Sequence, residues 1–381
     1  VLALSMHWYV MGADVSTAFL HATWTKATTF VWPPEEFYPQ GGVVWRLKKA
    51  LYGLKSSPKL WQTHFASTMA KFDFLRCKSD SNLYRHVDGN LFVLCYVDDL
   101  LIVGQENKAK ATFDILSTEL LMKKTGTLSD EGDKLEFLGR QLTRTHDSII
   151  FGMDDAYVAK ILVETGMTKC RSANTPGVDA LKKTFEEEEE LDDMSHREYR
   201  KVVGQLLWLS PVRPDIAYAV KELSRGVSKP TLEHTKKLKH LLRYLSGTRD
   251  YFLELKPKVH LHEKNTSLTV TCYTDSDWAG CTKTRKSTSG VLCSVLGTAV
   301  SALSKTQQTL ALSSGEAELY ALGLGVAESL FIKSLVLEAG FAKTCIFICS
   351  LIVQPARVCL TGGEPLVRLN ILNFVTCLFK I

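Results

Sequence analysis

The sequence predicts an α+β protein of two or three domains, and three observations carry that prediction. The chain has 381 residues, of which 45% are hydrophobic, enough to build several cores and incompatible with a disordered or collagen-like chain. Short strand-like apolar runs dominate the first third and return after Leu268. Between them lies a block of helix start signals with long apolar stripes.

Taken in order, Tyr9 to Leu20 reads as an apolar strand running into a turn and a helix start, with one acid, Asp14, embedded in it. Ser57 before Pro58 forms a cap and first-turn pair for a helix whose Trp61, Phe65, Met69 and Phe72 share a face. Leu91 to Tyr96 and Leu100 to Val103 flank Val97-Asp98-Asp99, the pattern of a buried hairpin with carboxylates at its tip. From Arg171 to about Ser195 the composition changes, and the run Glu186 to Glu190 reads as a solvated linker.

Three helices follow. Ser195 and Glu198 give a capping-box signature, and Pro214 and Pro230 sit where new helices begin. In the last of the three, Leu238, Leu241, Leu242 and Leu245 make the apolar stripe, with Gly247 as a stop. Lys236, Lys239, His240 and Arg243 form another face, which suits either a phosphate backbone or plain solvation. Strands are expected at Leu268 to Thr274, Gly290 to Leu296 and Thr298 to Ser304. A long helix over Ser314 to Ala339 carries Leu319, Leu322, Val326 and Leu330 on one face.

Bulk features narrow the function. A formal net charge of +5 asks a nucleic-acid partner to meet local basic patches and metal ions, not a grossly cationic surface. The ten cysteines lack paired C-x-x-C spacing and read as reduced core thiols. Cys345 and Cys349 are spaced for one helical face, but no second ligand pair accompanies them, so no zinc site is expected there or at His260 and His262. No uninterrupted run of eighteen apolar residues marks a membrane span, and no membrane partner is expected. The chain opens at Val1 without Met, and is expected to be a piece of a longer product.

The chemistry centres on the embedded acids. Burying carboxylates beside Leu, Val and Ile is unfavourable by several kcal/mol per charge, in order of magnitude, unless something compensates them. No basic residue adjoins Asp98-Asp99, so a bound cation is the natural compensation. Magnesium prefers a few carboxylate oxygens and leaves positions for water and phosphate, so acids from two strand ends suit a pair of ions in in-line phosphoryl transfer.

Asp14-Val15-Ser16-Thr17-Ala18-Phe19-Leu20, then Leu51-Tyr52-Gly53-Leu54-Lys55-Ser56-Ser57-Pro58, then Tyr96-Val97-Asp98-Asp99 stand in an order that resembles the palm motifs of copia-type LTR retrotransposon reverse transcriptases. Phe137-Leu138-Gly139 is similar to the strand that follows them. The resemblance implies that Asp14, Asp98 and Asp99 bind two magnesium (or manganese) ions. It implies that Phe19 lies under the sugar of the incoming nucleotide, and that Gly53 and Lys55 lie near nucleotide and template. The implied partners are an RNA or DNA template-primer, deoxynucleoside triphosphates and other retrotransposon Pol segments. The implied location, if the chain is expressed, is a cytoplasmic retrotransposon particle.

Tyr273-Thr274-Asp275-Ser276-Asp277-Trp278-Ala279-Gly280, Arg285 to Gly290, and Ala311-Leu312-Ser313-Ser314-Gly315-Glu316-Ala317-Glu318 are similar to the ribonuclease H domain of the same elements. Asp275 and Glu318 match its metal-binding, catalytic acids; Asp277 reads as a turn carboxylate and Glu316 as a capping partner of Ser313. Arg285-Lys286 suits either phosphate contact or exposure. The implied architecture is a polymerase palm with incomplete fingers over 1–170, a charged linker over 171–195 and a helical thumb or connection over 196–266. A mixed-sheet ribonuclease H-like domain follows over 267–345, with a tail over 346–381.

That last domain lacks an acid. The resemblance asks for another Asp on a strand after the long helix, yet no aspartate follows Asp277, and the resemblance stops near Ser350. One set of codons that encodes Leu351 to Ala356, CTG-ATA-GTT-CAG-CCA-GCN, gives Asp-Ser-Ser-Ala-Ser when read from the last base of the first. We therefore expect a frameshift near residue 350, with ribonuclease H activity lost. Sequencing the encoding DNA checks this: the shifted frame should continue with that acid, and a shifted frame without it refutes the frameshift.

Overall fold

The computed structural model describes residues 1–177, 189–259, 261, 267–281 and 283–351. His260, His262, positions 186–188 of the acidic run and the tail from 352 lie outside the described residues. The chain divides into two compact units: His7–Leu138 with Glu338–Gly340, and Val1–Met6 with Gly139–Leu337 and the chain from Phe341. The α+β class expected from the sequence is observed in both.

After a helical turn α1 (Leu2–Ser5), the first unit opens with β1 (Tyr9–Val15) and α2 (Ala18–His21), followed by the small antiparallel pair β2 (Phe30–Val31) and β3 (Trp45–Arg46). Helix α3 (Ser57–Lys71) leads to β4 (Phe74–Arg76), β5 (Leu83–His86), β6 (Leu91–Tyr96) and β7 (Asp99–Gly104). Then come α4 (Glu106–Glu119), β8 (Met122–Leu128) and β9 (Lys134–Phe137). Six strands form an antiparallel sheet in the order β4-β5-β6-β7-β1-β8, so β1 is internal, between β7 and β8. Alternate residues of β1 and β7, Met11, Ala13, Val15, Leu100 and Ile102, join Trp61, Phe65 and Met69 of α3 and Ala109 and Leu116 of α4 in one core. The expected α3 face is therefore the buried one. Its capping differs from expectation: the helix starts at Ser57, whose hydroxyl turns back to the Leu51 carbonyl at 2.6 Å and closes the preceding loop.

The second unit contains β10 (Arg140–Arg144), β11 (Ile149–Gly152), α5 (Asp155–Glu164), α6 (Asp193–Leu209), α7 (Ala217–Arg225), α8 (Leu232–Gly247) and β12 (Leu253–Leu255). It continues with β13 (Ser267–Asp277), β14 (Thr288–Val295), β15 (Thr298–Thr306), α9 (Ser314–Glu338) and β16 (Thr344–Leu351). The packing boundary falls at 138/139, ahead of the expected 170, because Val158, Ile161 and Leu162 of α5 share one core with α6, α7 and α8. Helix α6 begins before the expected capping box, since the Asp192 carboxylate accepts from Met194 N and Ser195 N at 3.0 and 2.8 Å. Glu189, at the end of the acidic run, is fastened by Leu232 N donating to its carbonyl at 3.1 Å.

The turn between α6 and α7 carries a buried ion pair. Arg213 donates to both Asp215 oxygens at 2.9 and 2.7 Å and to the Thr248 carbonyl at 2.8 Å, while the Tyr244 hydroxyl donates to Asp215 at 3.0 Å. Such a pair is tolerable in a core because its polar atoms are matched.

Strands β13, β14 and β15 form an antiparallel meander, and β16 returns parallel to β13, giving the order β15-β14-β13-β16. Cys345 and Cys349 thus lie on a strand, not a helix, and share one of its faces at a spacing of four. Helix α9 corrects a second expectation. Its buried stripe is Ala317, Ala321, Gly325, Ser329, Ile332 and Val336, whereas Leu319 is 64% and Leu330 44% exposed. The helix lies so close to β13 that a Cβ on Gly325 would sit 2.4 Å from Thr274 Cγ2 and 2.9 Å from Cys272 Sγ, which only small residues allow. By length and composition α9 could also cross a membrane, but its small-residue face is occupied by the sheet.

Gly325→Ala is accordingly expected to destabilise the second unit by roughly 1–3 kcal/mol through overpacking. Urea unfolding, with the midpoint compared to that of Gly323→Ala on the open face, checks this.

Candidate active site

The first acid cluster is set by strand register. Antiparallel pairing puts Asp99, the first residue of β7, opposite Tyr96 of β6 on one side and Asp14 of β1 on the other. Directly opposed side chains share a face and lie roughly 5 Å apart at Cβ, so Asp14 and Asp99 are forced together. Val97 and Asp98 form the connecting loop; Val97 has φ +59, and the Val15 amide holds the Asp98 carbonyl at 2.9 Å. Burial, then the charges of Asp98 and Asp14, push the Asp99 carboxyl above its ordinary range, against a hydrogen bond from the Leu138 backbone amide. That amide belongs to the Phe137-Leu138-Gly139 motif.

The donor chemistry fits a hard divalent cation, since it offers three carboxylates with neither thiol nor imidazole among them. No three metal-ligating side chains among the described residues converge into a ready-made cage, so a cation would have to draw these acids together.

Phe19 shares a cavity with Val97 of the acid loop. Its ring lies 4.5 Å from that of Tyr52, and it lines a cavity together with Trp61, Tyr84, Cys95 and Val97. Trp61 reaches the acid loop directly, its indole donating to the Val97 carbonyl at 2.7 Å. Gly53, at φ +88, forms the exposed turn before α3, and Lys55 is exposed two residues on. The link from Trp61 to Val97 could not be read from spacing, which marks Trp61 only as a core residue.

A second pair of acids forms in the other unit. Ser276 donates its amide and hydroxyl to Glu318 Oε1 at 3.2 and 2.9 Å, and its amide also reaches Asp275 Oδ1 at 2.8 Å. Burial, then the Glu318 charge, pushes the Asp275 carboxyl up to about 6. Glu318 Oε2 is buried without a hydrogen-bond partner, an orphan that a proton or cation would satisfy. Two acids are therefore present, and the strand that the resemblance gives a third ends at Leu351, paired with Thr274.

The remaining motif residues build this site's frame. Asp277 turns away to accept from the Tyr218 hydroxyl of α7 at 3.3 Å, and its carboxylate fills the space a Cβ on Gly280 would need. Trp278 donates to the Ala311 carbonyl at 3.1 Å, Ala279 N to Ser287 at 3.0 Å, and Gln307 to Ser289 and the Ala317 carbonyl at 3.0 and 2.8 Å. Glu316 N donates to Ser313 at 3.1 Å, while the Glu316 carboxylate caps Leu312 N at 2.7 Å. Arg285 is exposed.

On α8, Lys236 and Lys239 are exposed, but the expected basic face is not continuous. Arg243 donates to the Arg171 carbonyl at 2.7 Å and His240 Nε2 lies 2.9 Å from the Thr175 carbonyl, so both tie down the segment before the acidic run.

Residues 1–179 match the reverse transcriptase (RNA-dependent DNA polymerase) family. The chain is 33% identical over 345 residues, 89% of its length, to the retrovirus-related Pol polyprotein from transposon RE2 of Arabidopsis thaliana. It is 32% identical over 90% of its length to that from transposon RE1. It spans 22% and 23% of those two polyproteins. It is also 31% identical to the putative transposon Ty5-1 protein of Saccharomyces cerevisiae, covering 92% of that protein.

The raised Asp275 carboxyl fixes a pH dependence. A carboxyl whose folded pKa lies above its unfolded value stabilises the fold at low pH, and that contribution is lost as pH rises through about 6. Asp275→Asn is therefore expected to raise the thermal unfolding midpoint at pH 7.5, with the gain shrinking toward pH 4. A scan of both chains across that range checks it.

Proposed function

Because the chain belongs to the reverse transcriptase family of copia-type retrotransposon Pol polyproteins, we propose that its first unit is the palm of an RNA-directed DNA polymerase. The observation that carries this is the forced juxtaposition of Asp14 and Asp99 across β1 and β7, with Asp98 in the adjoining loop. These three carboxylates would hold two magnesium ions. Bound magnesium supplies charge neutralisation at the triphosphate and activation of the primer hydroxyl for in-line displacement of pyrophosphate.

The chain's own groups do the positioning. The β1/β7 register sets the spacing of the acids, the Leu138 amide orients the Asp99 carboxylate, and Phe19, backed by Tyr52, offers a ring where a sugar would stack. A ring in that place favours deoxynucleotides by crowding a 2′-hydroxyl. Exposed Lys236 and Lys239 supply phosphate contacts to a template-primer, with Arg243 serving structure instead.

The second unit is read as a helical thumb or connection followed by a ribonuclease H-like domain, supported by the β15-β14-β13-β16 order and the Asp275–Glu318 pair. With Leu351 at the end of β16 this site holds two acids, and we infer that RNA cleavage is lost. A second reading, a degenerate Pol product that binds nucleic acid without catalysis, is favoured by one observation: no three metal-ligating side chains converge among the described residues.

Primer extension on poly(rA) with an oligo(dT) primer, dTTP and magnesium separates the two readings. The first reading expects extension, abolished by Asp98→Asn with template-primer binding retained. Extension at an unchanged rate in that variant removes the site assignment, and binding without extension in the parent chain establishes the second reading.

A further inference from the structure

Trp61 is a large apolar side chain with one obligatory donor, and at 1% exposure it is withdrawn from water. A buried indole N–H without an acceptor is costly, so the acceptor it finds is informative. The rings of Phe65 and His64 pack against it with centroids at 5.4 and 6.0 Å, and a phenylalanine would keep an aromatic ring there with a smaller volume. What phenylalanine lacks is the N–H directed at the Val97 carbonyl, 2.7 Å away.

Val97 is the residue in the acid loop that most needs holding. Its φ of +59 is a conformation that a β-branched side chain adopts only under strain, and it is one of just two residues between Tyr96 and Asp99. If Val97 relaxes to an ordinary φ, the loop rotates and the carboxylate of Asp98, the acid outside the strands, leaves its place beside the register-paired Asp14 and Asp99. The opposing restraints are few. The Val15 amide holds the next carbonyl, that of Asp98, at 2.9 Å, and Cys95 Sγ makes a weaker contact of 3.6 Å to the same Val97 oxygen. The Trp61 indole makes the strong bond at the strained residue itself, from a helix whose first turn follows the Gly53-Lys55 loop.

We propose that Trp61 is a positioning residue: its indole N–H holds the Val97 carbonyl in the left-handed turn and thereby fixes Asp98 beside the register-paired Asp14 and Asp99. Its significance for nucleotide transfer rests on the polymerase reading above, but the coupling of Trp61 to the turn does not.

The test is a double-mutant cycle on the full chain with Trp61→Phe, Val97→Gly and the two combined. Hydrogen–deuterium exchange of the Tyr96–Asp99 amides is followed by mass spectrometry. Trp61→Phe is expected to speed exchange of these amides about fivefold, the equivalent of one net hydrogen bond. The same change on the Val97→Gly background is expected to alter it less than about twofold, because glycine takes a positive φ without strain. In primer extension, Trp61→Phe should lower kcat with KM for dTTP unchanged, and should do so only on the Val97 background. Equal acceleration of exchange on both backgrounds would reduce Trp61 to a packing residue, and no acceleration on either would remove it from the turn; each overturns the proposal. Absence of primer extension in all four chains would count against the polymerase reading alone, leaving the exchange data to decide the role of Trp61.

Discussion

Cross-strand register in the first unit places two carboxylates side by side at the end of two core strands. Asp14 and Asp99 face each other because β1 lies antiparallel to β7, and neither can turn aside without shifting a strand whose alternate residues fill the core. Asp99 answers with a raised pKa, and the Leu138 amide offsets part of its charge. A sheet this well packed would gain stability from an apolar pair at those positions. Keeping acids there makes sense when a cation completes the site.

The same economy of means governs the second unit, by a different route. There the acids come from a strand and a helix, so their distance depends on how closely α9 approaches β13. Ala317, Ala321, Gly325 and Ser329 permit that approach, and Ser276 then bridges Asp275 and Glu318. Among the described residues β16 supplies a parallel partner for β13 as far as Leu351, opposite Thr274, and the buried Glu318 Oε2 has no hydrogen-bond partner.

Many residues in and around the second unit's motifs hold its frame. Asp277, Trp278, Gly280, Ser287 and Gln307 are knitted to neighbouring segments by hydrogen bonds or close approach, which accounts for a motif longer than its acids require. Arg243 shows that a basic residue on a helix face can also brace a neighbouring segment. A guanidinium on an apparently solvated face is spent on the Arg171 carbonyl, because the segment before the acidic run folds back over α8.

The sequence by itself determined the class of fold, the α3 core face, the hairpin around Val97-Asp98-Asp99 and the strands β13, β14 and β15. Each of these follows from local periodicity, a property of residues near one another in the chain, whereas the roles expected of the acids come from the family resemblance. Only the tertiary structure decided the pairing of Asp14 with Asp99, the small-residue face of α9, the strand at Cys345 and Cys349, the packing of α5 with the later helices and the bond from Trp61 to Val97. These depend on contacts between residues distant in sequence. A helical stripe of leucines looks like a buried face until a nearby sheet demands smaller side chains, and a buried tryptophan looks like packing until its one donor finds a strained carbonyl.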